Sequence, residues 1–84
     1  MHKTHPAIIP RLKRAEGHLR AVVAMIEGGK SCVDLAQQLH AVEAAVAKAK
    51  KELVRDHIEH CFGEGQRLDV KAAIRELKQL SKYL

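Results

Sequence analysis

From Ser31 to Phe62 the chain contains neither glycine nor proline, and this run limits the possible folds more than any other feature. Its apolar residues Leu35, Leu39, Val42, Val46, Ala49 and Leu53 are spaced alternately four and three, the helical period, with alanine filling much of the rest. Thirty residues at about 1.5 Å each make a rod of roughly 45 Å, long for a globular helix and typical of a coiled coil. In a chain of 84 residues the flanking segments are too short to cover it.

Those flanks are helical as well. From Ala7 to Glu27 the residues Ile8, Leu12, Ala15, Leu19, Val22, Val23 and Ile26 recur at three and four. "EGGK" at 27–30 ends that helix, because glycine tolerates a left-handed C-terminal position. Pro10 marks a candidate helix start, leaving residues 1–6 as an expected mobile arm. Ser31 is the expected N-cap of the long helix, with Asp34 three positions on. After "GEGQ", residues 69–83 carry Val70, Ile74, Leu77 and Leu80 on one face of a shorter third helix. The expectation is one all-α domain over residues 1–84, with three helices and the central one overlong.

A chain this short is marginal alone. With one Phe, one Tyr and no Trp, its apolar content suits helices that meet other chains. A net charge of +5 favours a polyanionic partner, either nucleic acid or an acidic membrane surface. No run of about 18 apolar residues and no signal-peptide core is present, so a soluble, cytoplasmic protein without a membrane span is expected. In that reducing compartment the two cysteines suggest a ligand or redox role rather than a disulfide, although either thiol alone reads equally well as a small buried hydrophobe.

"RDHIEHCF" at 55–62 places His57 and Cys61 four apart, within about 6 Å on one helical face and bridgeable by a metal ion. Cys32, the other thiol, lies about 37 Å away along the same rod. The three meet only if two copies of the rod pack antiparallel, which sets Cys32 beside the partner's His57 and Cys61 and buries the apolar stripe. Two thiolates and one imidazole suit Cu(I), or Zn(II), Ni(II) or Co(II) if a fourth ligand comes from His2, His5 or His60. Each of these three also reads as an ordinary solvated histidine. His18 and His40 read as structural or surface residues. Arg11, Arg14 and His18 group on the first helix, and Lys48, Lys51 and Arg55 on the second. Repeated by symmetry, they would neutralise several phosphates, with Arg11, Arg14, Lys48 and Lys51 the candidate phosphate contacts. Glu43, Glu52 and Glu59 are interspersed as helical salt-bridge partners would be.

The stretches "RLKRAEGHLRAVVAMIEGGKSC", "VDLAQQLHAVEAAVAKAKKELVRDHIEHC" and "AAIREL" resemble the CsoR/RcnR/FrmR family of bacterial repressors over nearly the whole chain. The resemblance implies antiparallel long helices forming a four-helix bundle, a dimer of dimers, and release from operator DNA when an inducer binds between protomers. By position it implies Cys32, His57 and Cys61 as copper ligands and Glu76 as an acid that communicates with the ligand histidine. It also implies Arg11, Lys48 and Lys51 as DNA contacts, the last two being arginines in copper sensors.

Copper sensors of this family carry a tyrosine before the first cysteine; this chain has Ser31. The nickel and cobalt branch adds an N-terminal histidine, for which His2 and His5 are available, but Cys61 replaces its third histidine. A persulfide sensor would use both cysteines without His57. A formaldehyde sensor needs an N-terminal proline, whereas His2 following Met1 leaves the methionine in place. The expected order is copper, nickel or cobalt, sulfur species, formaldehyde. A metal buffer without a DNA role is the rival from another class, and no feature supports an enzyme.

Overall fold

The structure, a computed structural model, describes residues 5–63 and 70–84, and for residues 5 and 60–63 the helical backbone alone. It is all-α. Helix α1 spans His5–Glu27, α2 spans Cys32–Gly63 and α3 spans Val70–Leu80, followed by a single 3-10 turn at Ser81–Tyr83. The 32 residues of α2 make a rod of about 48 Å at the helical rise, close to the 55 Å long axis of the molecule. Among the described residues no helix is long and apolar enough to cross a membrane.

Local chemistry sets the α1–α2 turn. Lys30 N–H donates to the Met25 carbonyl and Gly29 N–H to the Ile26 carbonyl, at 3.0 and 3.1 Å, the paired bonds of a Schellman stop. Gly29 has φ +79°, a left-handed conformation in which a side chain would be strained. Two residues later the Ser31 hydroxyl accepts from Asp34 N–H at 3.2 Å, capping one orphan donor of α2.

The start of α1 differs from expectation. The helix begins at His5, so Pro10 lies inside it and does not mark its first turn. Proline there forfeits one backbone bond, to the Pro6 carbonyl. Ile8, on the N-terminal side of Pro10, is buried, and that burial, roughly 1.5–3 kcal/mol, offsets much of the cost of an internal proline, about 3 kcal/mol. The expected arm falls on residues 1–4, outside the described residues, and on His5 and Pro6, which are helical.

α1 and α2 form an antiparallel hairpin bridged by side chains at two levels, Arg11 Nη1 to Glu52 Oε1 at 3.1 Å and His18 Nε2 to Gln38 Oε1 at 2.6 Å. One seven-residue set comprises Ile8, Ala15 and Val22 on α1 and Val42, Ala49 and Asp56 on α2. All six are buried, and on each helix they are seven apart, the coiled-coil repeat. A second seven-residue set lies alongside. It comprises Leu12, Leu19 and Ile26 on α1 and Leu39, Val46 and Leu53 on α2, and these six remain 38–55% exposed. The hairpin thus has one closed seam and one open seam, and α3 reaches the far end of α2, with Ala73 buried.

Candidate functional site

Cys32 is the first residue of α2, and its thiol is free and exposed. His57 lies on the same helix near the other end. Its Nε2 stands 2.9 Å from Glu76 Oε1 on α3, the histidine side chain 20% exposed and the glutamate 51%. When that nitrogen carries the proton it donates to the carboxylate, which fixes the ring's orientation and favours one tautomer. Position 61 is on the same α2 face one turn further on; the Cys61 side chain lies outside the described residues, as do His2 and the side chains of His5 and His60. Among the described residues no group of three metal-capable side chains converges within one chain. That follows from the rod: Cys32 and His57 are about 37 Å apart along it.

The basic residues form a second feature. Arg11, Arg14, His18 and Lys48, with Ala15 and Ala45 beneath, line a cleft between α1 and α2. Lys48 also borders a neighbouring cleft with Lys51, Glu52 and Arg55. On α1 the basic residues Arg11, Arg14 and His18 fall at i, i+3 and i+7, and on α2 Lys48, Lys51 and Arg55 repeat that spacing, with Lys48 bordering both clefts. His18 is held by Gln38 across the hairpin, Nε2 to Oε1 at 2.6 Å.

Three positions escape sequence reasoning. Gln38 gives no signal that it partners a histidine twenty residues away. Glu52 reads as an intrahelical salt-bridge partner, but it pairs across the hairpin with Arg11, because it faces α1. Asp56 is 2% exposed and continues the buried series of Val42 and Ala49; the seven-residue spacing was the available signal, masked by the charge.

The profile of the metal-sensitive transcriptional repressors matches residues 4–83. This chain belongs to that family. Among its relatives, the copper-sensing transcriptional repressor CsoR of Bacillus subtilis (strain 168) is 37% identical over 81 residues, covering 95% of this chain and 80% of that protein. CsoR of Mycobacterium ulcerans (strain Agy99) is 37% identical over 83 residues, covering 92% of this chain and 67% of its own length. The copper-sensing transcriptional repressor RicR of Mycobacterium tuberculosis is 32% identical over 77 residues, covering 80% of each. The chain thus spans about two thirds of the length of the Mycobacterium ulcerans CsoR. In this family member one unbroken helix, α2, carries Lys48, Lys51 and His57.

Proposed function

We propose that this protein is a cytoplasmic repressor that binds operator DNA and is released from it by Cu(I) bound between two antiparallel protomers. One observation carries the reading: the open seam of Leu12, Leu19, Ile26, Leu39, Val46 and Leu53 runs along a rod that bears Cys32 at one end and His57 at the other. Covering this seam with a second copy in antiparallel orientation makes a four-helix bundle. The same step brings Cys32 of one protomer toward the partner's His57 and Cys61. Two such dimers would form the DNA-binding tetramer.

The donor set fits the ion. An exposed thiol, a second thiol and an imidazole held by a carboxylate form a soft, low-coordinate set suited to Cu(I). With Nε2 engaged by Glu76, the ring nitrogen that serves the metal is Nδ1, and Glu76 orients the ring for it. Bound Cu(I) supplies a cross-link between protomers. The chain's own part is to transmit that cross-link along α2 to the DNA contacts Arg11, Arg14, Lys48 and Lys51. The copper-sensing names of the relatives support this choice of ion over Ni(II), Co(II) or Zn(II).

Selecting a preferred duplex from a random pool, then titrating Cu(I) with and without it, tests the reading. Metal must weaken DNA binding and DNA must weaken metal binding by the same factor; equal metal affinities in both titrations defeat the coupling. X-ray absorption of the loaded protein reads the coordination: three short bonds to sulfur and nitrogen are expected, and four to six ligands rich in nitrogen would move the assignment to nickel or cobalt and bring in His2 or His5.

A further inference from the structure

On the basic face, Arg11 is already held by an acid. Glu52 lies on α2 one turn after Lys48 and nearly one turn before Arg55, so the ordinary helical spacings offer it cations on its own helix. Its contact runs instead across the hairpin to Arg11, 3.1 Å away, with the two side chains 39% and 24% exposed. The guanidinium is the group on this face best matched to a phosphate, since its planar fork engages phosphate and carboxylate oxygens alike. A half-buried carboxylate is also screened less than a freely solvated one. An acid among the cations of a groove that otherwise suits a polyanion therefore opposes that polyanion twice, by repelling it and by occupying its strongest ligand.

We propose that Glu52 is an internal competitor for DNA phosphate: it holds Arg11 in the free protein, a phosphate displaces it on binding, and operator affinity is thereby kept below what the cations alone would give. The proposal rests on the DNA-binding reading above and concerns the same face.

The test is a double-mutant cycle on the full chain, with anisotropy of a labelled duplex as the readout. Circular dichroism and sedimentation first verify that each variant keeps its fold and assembly. E52Q is expected to tighten binding about two- to fivefold for each protomer in contact, the range of an exposed ion pair, and E52D to fall between wild type and E52Q. In an R11M background the same E52Q change should give much less than this gain. Equal gains in both backgrounds would mean that Glu52 merely repels DNA and would overturn the proposal. No gain would overturn it as well, as would weaker binding, which would make Glu52 a residue that orients Arg11. If wild type itself binds no duplex, the DNA reading fails first and takes this proposal with it, a result distinct from every outcome of the cycle.

Discussion

Glu76 and Ser31 act through single contacts with different consequences. Glu76 accepts from His57 at 2.9 Å, so E76Q keeps the shape but weakens the ring's anchor. Metal affinity should fall about 10- to 100-fold, in the range seen for residues that orient a metal-binding histidine, while duplex binding persists. Competition with a Cu(I) chelator reads the first effect and anisotropy the second. Ser31 acts on stability: S31A removes the hydroxyl that caps α2 and should cost roughly 0.5–2 kcal/mol, seen as a lower Tm with unchanged metal stoichiometry. The cap is legible in the sequence because one hydroxyl decides it. The pairing of Glu52 with Arg11 is not, because it depends on which face of α2 meets α1.

At the scale of elements, the stop at Gly29 and the length of α2 follow from residue type alone. The division of the α2 stripe does not. Spacing of alternate four and three contains two interleaved sevens, one of Leu35, Val42 and Ala49 and one of Leu39, Val46 and Leu53. Only packing against α1 buries Val42 and Ala49 of the first set, with Leu35 partly exposed at the turn end, and leaves the second half-exposed. Placing a charge in the open set should therefore break assembly without unfolding the hairpin. V46E is expected to sediment as a smaller species with its helical circular dichroism largely retained, and to bind duplex weakly. A variant that keeps the wild-type sedimentation coefficient would remove the seam from the interface.

For the whole molecule, the key expectation is a site shared between copies. C32A protein alone and H57A protein alone should each lose Cu(I)-driven release. Mixed dimers should regain one intact site, made by Cys32 of the H57A chain with His57 and Cys61 of the C32A chain. Recovery of metal binding on mixing, after subunit exchange, is the measurement; a site contained in one chain would show none. The candidate ligands are legible from "RDHIEHCF" and Cys32, and their separation along one rod already calls for a second copy; the face on which that copy would pack is not legible, because it depends on which apolar set α1 leaves open. The tight turn closing α1 onto α2 through Gly28, Gly29 and Lys30 has a mechanical consequence here. With so short a strap and a spine unbroken over 32 residues, α2 is a beam that no loop interrupts. On the proposed reading, a difference between a DNA-gripping and a DNA-releasing form is then expected at joints, where one beam slides on another or where α3 leans on the end of α2.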